Sequence, residues 1–462
     1  MLVTGNSPEK SMHRKLYKRL VSIVCLSAWA LTQPVLAQEA AQNAASSVSL
    51  TLAQATELAV KNNLQTVLAR ERIMQARGER GTVFSLLLPN ISGGASQSNM
   101  TLNLAAEGFT SSLIPGIPAF LGPFSVFDAR IRLTQSIVNL AAIRQYQAGK
   151  YGVELAGEQA RFAAQQVMTA AALSYVEVLA SEEAVANAKA NLQLAQTLLD
   201  LATNQHNAGL ATGLDVARAE TRLANQQVQL AQAQTSLDTA RLDLLRVAGL
   251  PLSTNLCLAD PLRFTPAEHA DAVPTVQSAL AERSDLKVAQ QQLKIAATQR
   301  KATAAGWAPT LSFAGDYGTS AVKPNDTSLP TRSVGVRLDV PVFNGGRTHA
   351  EVQTAASRER QAAAQASDLK LAIEKDVRQA LDNLVTRETQ VRAAQTALSL
   401  ATRELELSRD RFANGIADNI EVVTSQTALE NARQTLVTSL AQFNVARLNL
   451  AAAVGRVEDF RL

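Results

Sequence analysis

The chain is short of the residues that do chemistry. Its 462 residues include four histidines and two cysteines, and only 4% are aromatic. His13, His206, His269 and His349 are scattered without metal-ligand spacing. No glycine-rich phosphate loop follows a strand-like run, and no serine sits in a nucleophile elbow. We assign no catalytic residue, no cofactor and no metal site, and do not read the chain as an enzyme. Long apolar runs are missing too. Beyond residue 37, positions 112–127 come closest, and Pro115, Pro118 and Pro123 interrupt them, so no membrane helix is expected. Proline is absent from 140–206, and 347–412 has neither proline nor glycine. Nothing in either stretch stops a helix.

Residues 1–37 read as a cleaved secretory signal. Arg14, Lys15, Lys18 and Arg19 precede an apolar run from Leu20 to Leu31, and Val35-Leu36-Ala37 resembles a cleavage site. The run is too short to span a bilayer, and Cys25 lacks the small residues a lipoprotein signal needs before it. This segment holds five of the 44 basic residues and one of the 40 acids, leaving 39 of each. The basic balance of the whole chain therefore belongs to the targeting segment and says nothing for nucleic acid. One cysteine, Cys257, remains. It excludes an intrachain disulfide and is read as a packed small apolar residue.

What is present is a repeat. Asn207-Ala208-Gly209-Leu210-Ala211-Thr212-Gly213-Leu214-Asp215-Val216 recurs 206 positions later as Ala413-Asn414-Gly415-Ile416-Ala417-Asp418-Asn419-Ile420-Glu421-Val422. Ala240-Arg241-Leu242 recurs as Ala446-Arg447-Leu448, and Gly249 as Gly455. Two like halves imply a pseudo-symmetric architecture. The expected boundaries are a linker at 38–48, a first repeat at 49–249, a connecting segment at 250–272, a second repeat at 273–456 and a tail at 457–462.

Each half reads mainly as helix, in a long hairpin whose turn contains Gly209 or Gly415. Thr212 and Asp418 are positioned to cap the returning helices, where Asp215 and Glu421 suit the helix dipole. Leu192, Ala195, Leu199 and Ala202 form one alanine-rich seam; Leu223, Val228, Ala231 and Leu237 form another with a slip. Alanine on several faces suits a helix with neighbours on both sides, as in a ring. Alternation marks strands at about 90–104, 130–138, 309–317 and 331–343, the last placing Val334, Val336, Leu338, Val340 and Val342 on one face. Four strands of this length can cross a membrane but cannot close a barrel, and open edges in lipid are prohibitive. Membrane strands would therefore have to be pooled between copies.

Several motifs resemble those of the TolC family of outer-membrane efflux proteins. They are Leu50-Thr51-Leu52-Ala53-Gln54-Ala55, Leu88-Pro89, Val340-Pro341-Val342-Phe343-Asn344-Gly345-Gly346-Arg347, and the paired Gly-Leu-Ala-Thr and Gly-Ile-Ala-Asp turns. The resemblance runs from about 49 to 456. It implies a homotrimer whose four strands per chain make a twelve-stranded outer-membrane β-barrel in lipid, continued through the periplasm by a hollow α-barrel. It implies an exit duct of a tripartite efflux or type I secretion system, without catalysis. The implied partners are a periplasmic adaptor (membrane fusion) protein and an inner-membrane pump of RND, ABC or MFS type. The rival reading is a structural, adhesin-like coiled coil without a pore.

The resemblance also directs the choice of sites. The tips Gly209, Leu210, Ala211, Thr212 and Asp215, and Gly415, Ile416, Ala417, Asp418 and Glu421, are candidate adaptor contacts. Glu404, Glu406 and Asp410, with Arg403, Arg409 and Arg411 as latch partners, are candidates for a periplasmic gate. Arg130, Arg132, Arg337 and Asp339 are expected inside the barrel with the valines towards lipid. The loops at about 105–128 and 318–330, the first bearing Phe109, Phe120, Phe124 and Phe127, are expected outside the cell.

Overall fold

Local sequence decides where helix gives way to strand. In the computed structural model, which describes residues 48–109, 115–266, 271–414, 416 and 419–462, the order is β1 (Val48–Leu50), α1 (Leu52–Asn62), α2 (Leu64–Ser85), β2 (Asn90–Asn103), β3 (Phe120–Val138), α3 (Leu140–Asn207), α4 (Gly213–Ala248), β4 (Leu256–Leu258), α5 (Ala272–Glu282), α6 (Ser284–Ala304), β5 (Thr310–Ala321), β6 (Leu329–Asp339), α7 (Arg347–Ala413) and α8 (Asn419–Val454). The expected signal at 1–37, with His13 and Cys25, lies outside the described residues, as does His269. Residues 49–252 and 256–462 form one compact unit.

The second half repeats the first. A short helix and a medium one (α1 and α2; α5 and α6) lead through two strands to a very long helix, which returns as a shorter one. The long helices α3 and α7 have 68 and 67 residues, about 100 Å each at 1.5 Å per residue. Their buried positions recur at three- and four-residue spacing, as in Val391, Ala394, Ala401, Leu405 and Ser408 of α7. Small residues at those positions let the axes approach closely. α3 packs against α2, α4, α6 and α8, and α7 against α6 and α8. In the hairpin region the helices thus run in the order α4, α3, α8, α7, with α4 and α7 at the ends.

The two halves share a device at their waist. The α1–α2 junction residue Asn63 donates from Nδ2 to the Val247 carbonyl, at 3.1 Å. The α5–α6 junction residue Arg283 reaches the carbonyl of Ala453, the repeat equivalent of Val247, at 3.5 Å. Each carbonyl lies just before a left-handed glycine, Gly249 or Gly455, that ends the returning helix. Burial works against the charge of Arg283, yet Asp285 and Asp376 outweigh it and raise its pKa above the ordinary arginine value. The connecting segment is held by Tyr175, which is fully buried. Its hydroxyl lies 2.9 Å from both the Leu50 carbonyl and Asp260 Oδ2, and the Leu52 N–H donates to the same carboxylate oxygen at 2.7 Å. Burial, then the adjoining Asp260, pushes the Tyr175 phenol well up from its usual value.

The strands differ from expectation at their ends. The second begins at Phe120, ten residues early, so Phe120, Phe124 and Phe127 belong to β3 and not to a loop. Pro118 and Pro123 disguise its start, and the Gly122–Pro123 bond is cis. The third extends to Ala321. The fourth runs from Leu329 and stops at Asp339, so Val340 to Phe343 are not strand: Pro341 has no N–H to continue the ladder. Cys257 is exposed and not packed; it lies on the three-residue β4, where its neighbour Leu256 takes the buried face. The tail is packed, with Val457 and Phe460 buried and Arg447 stacked on the Phe460 ring.

Candidate functional site

The sheet decides what each strand residue faces. The order is β2-β3-β5-β6, antiparallel throughout. The register puts Ser92 opposite Arg132, Arg132 opposite Asp316, and Asp316 opposite Ser333. One face therefore collects Asp128, Arg130, Arg132, Asp316, Arg337 and Asp339 among serines and threonines. The other collects Ile91, Ile131, Leu133, Phe313, Val336 and Leu338. Arg130 bonds to Asp128 and, at 3.1 Å, to Asp316 across the strand pair; Ser320 donates to Asp128 at 3.3 Å. The four barrel candidates thus share one face, and Arg130 is neutralised rather than free. The apolar face lies open, with Val336 and Leu338 both 63% exposed. Both outer strands, β2 and β6, have an unpaired edge among the described residues.

At the far end of the helices, the first tip is fully described. Gly209 takes a left-handed conformation and the Leu210 N–H closes back on the Gln205 carbonyl at 2.8 Å. Thr212 and Asp215 form a reciprocal capping box at the start of α4. Of the second tip, Gly415, Ala417 and Asp418 lie outside the described residues. The Ile416 N–H bonds the Arg411 carbonyl at 2.9 Å, and Arg411 pairs with Glu421 at 3.2 Å. Gln205 donates to the Phe412 carbonyl at 3.1 Å, so the two tips sit side by side. Each presents two exposed apolar residues four positions apart in the chain, Leu210 with Leu214 and Ile416 with Ile420.

The gate candidates do not form one cluster. Glu404 turns towards α8, where Ser425 donates to it at 3.4 Å. Arg403, Glu406 and Asp410 follow at three- and four-residue spacing on another face of α7, exposed. Arg409 is half-buried, and Arg411 is engaged by Glu421 instead of the three acids. Sequence spacing brings such residues near in the chain, but helical phase separates them.

One network was missed. Glu430 of α8 holds Arg222 of α4 in an ion pair and accepts from Gln226 at 3.2 Å. It crosses over α3 in a polar groove lined by Gln229 and Gln434. Its members lie more than two hundred residues apart, and the only sequence signal is that such polar residues interrupt an alanine-rich face. No group of three or more His, Cys, Asp or Glu residues among those described could hold a metal.

Known proteins share this arrangement. The chain is similar to the pyoverdine export outer membrane protein OpmQ of Pseudomonas aeruginosa, at 29% identity over 63% of this chain and 60% of that one; the match thus spans less than two thirds of that relative. It is similar to the alkaline protease secretion protein AprF of the same organism, at 23% identity over 90% of this chain and 86% of that one. Its fold matches the crystal structure of the outer membrane protein VceC from Vibrio cholerae, with a TM-score of 0.75 at 18% identity over 87% of this chain and 96% of that one. A family model described as outer membrane efflux protein matches residues 55–250 and 275–456, one block for each repeat. The chain belongs to the outer membrane efflux protein family.

Proposed function

We propose that three copies of this chain assemble into an exit duct of the outer membrane, passing cargo from the periplasm to the exterior. One observation carries this reading: a four-stranded antiparallel sheet with a bare apolar face and two unpaired edges, carried on helical hairpins that present end helices on either side. Lipid tolerates the apolar face but not the edges. With an even number of alternating strands, β6 of one copy runs antiparallel to β2 of the next, so copies join without a break in the pattern. Three copies give twelve strands with the charged face inward. The export and secretion roles named for the relatives extend to this chain as an efflux or type I secretion duct. The exposed apolar pairs at the tips are the contacts for a periplasmic adaptor, which connects an inner-membrane pump. Electron microscopy of the detergent-extracted chain, with its mass taken alongside, tests the assembly. A hollow cylinder of three chain masses with a detergent belt at one end is expected; a monomer or a solid rod would favour the poreless coiled coil.

The gate belongs to the same reading. Glu406 and Asp410, exposed residues near the periplasmic end, narrow the entrance; Glu404, equally exposed but bonded by Ser425 of α8, contributes less. In planar bilayers Glu406→Ala and Asp410→Ala should each raise single-channel conductance, and Glu404→Ala should leave it near the parent value. Unchanged conductance for the first two removes the gate from this position.

A further inference from the structure

The apolar face of the sheet carries one charge. Of the charged residues in the four strands, Asp128, Arg130, Arg132, Asp316, Arg337 and Asp339 share the polar face, and Arg332 alone stands on the apolar one. The register puts Arg332 opposite Tyr317 and Tyr317 opposite Ile131, in line with the pairs Gly315–Val334 and Phe313–Val336. Arg332 is exposed, and Tyr317 is 65% exposed beside it. Among the described residues no acid pairs with Arg332. Asp316, its near neighbour in the register, points to the other face and is bonded to Arg130. Asp326, in the β5–β6 turn, accepts from the Thr327 N–H at 2.8 Å. β2, the strand that a next copy would lay beside β6, has no charged residue at all.

In lipid such a residue is costly unless its charge reaches a boundary. The helices mark the periplasmic side, so the β5–β6 turn lies at the outer end. Leu338 to Arg332 is roughly 20 Å along the strand, or roughly 15 Å of height at the tilt that membrane strands take. Leu329 ends the strand about 8 Å higher still. An arginine side chain covers most of that gap, as long cationic side chains do at a membrane surface. Tyrosine beside it suits the same boundary, with its ring in the apolar layer and its hydroxyl at the headgroups. With no carboxylate offered by the protein, the anion that the guanidinium meets there is phosphate, which matches its planar fork of donors. Lys323, exposed in the turn above, adds a second cation. We propose that Arg332, with Tyr317 beside it, binds a phosphate of an outer-leaflet lipid, at one site per chain on the outside of the barrel. The inference rests on the outer-membrane reading of the sheet and adds a ligand class that this reading does not require.

Lipid retention by the detergent-extracted full chain tests this, read by native mass spectrometry. The probes are bisphosphorylated lipid A, the same lipid stripped of its phosphates, and inorganic phosphate as competitor. The parent should keep the bisphosphorylated lipid, one per chain, with roughly tenfold preference over the stripped form. Arg332→Gln should lose that preference, and Arg332→Lys should keep part of it, since lysine still offers a point charge. The side chain is exposed, so both variants should match the parent in circular dichroism and in assembled mass. Equal retention of the two lipids by the parent, or an undiminished preference in Arg332→Gln, overturns the site and leaves the duct standing. Displacement of the lipid by inorganic phosphate assigns the position to a soluble anion and overturns it as well. A chain that extracts without a detergent belt overturns the membrane reading and the site with it.

Discussion

Gly249→Ala should destabilise the folded chain by about 3 kcal/mol, several times the effect of the same change at Gly209. Both glycines end a long helix in the left-handed region, at φ +67° and +75°. The added methyl at Gly209 meets nothing within 4 Å, so only the backbone preference is lost, about 1 kcal/mol. At Gly249 the methyl would stand 2.6 Å from the Asn62 Cβ and 3.1 Å from its carbonyl carbon and oxygen. Backbone must shift there, and with it the α1–α2 junction and the Asn63–Val247 bond. Urea unfolding followed at 222 nm separates the two variants. Equal midpoints would mean that the waist contact is loose enough to yield.

Glu430→Ala is the second large effect, at about 3 kcal/mol, the lower end for breaking a buried ion pair. The side chains of Arg222 and Glu430 are 22% and 14% exposed, so water relieves part of the stranded charge. Removing the carboxylate leaves Arg222 without its ion-pair partner and takes from the buried Gln226 its acceptor. Replacing both charged residues, Arg222→Met with Glu430→Leu, should restore most of the loss, because burying two apolar chains avoids the desolvation that the pair must offset. Unfolding of the single and double variants in the same buffer gives the comparison. A double variant as weak as the single would mean that the network's worth lies in Gln226 and its neighbours, not in the ion pair.

These two sites differ in how far they could be read in advance. Gly249 stands in the sequence with its repeat partner Gly455, and glycine after a long helical run predicts a left-handed stop. The first tip was legible for the same reason, since turn residues and caps act over four or five positions. The alternating strands could be found, but β3 hid its first ten residues behind prolines and phenylalanines, and the pairing of β3 with β5 depends on contacts across some two hundred residues. Arg222 and Glu430 are ordinary helix-surface residues until α3 brings α4 and α8 together. The acids at 404, 406 and 410 show the converse. They are neighbours in sequence, and two residues of helix rotation turn Glu404 away from the others. Cys257 was misjudged because a three-residue strand gives no pattern from which to read its face.

The two bare sheet edges have a kinetic meaning. A lone chain exposes one β2 edge and one β6 edge. In the three-copy ring proposed above, joining two chains removes two of their four edges, and adding the third removes the four that then remain. The closing step thus removes twice as many edges as the first joining, which favours complete rings over partial ones. Assembly becomes steeply dependent on the concentration of chains at the membrane, and a slight shortfall in supply lowers the number of finished ducts far more than in proportion.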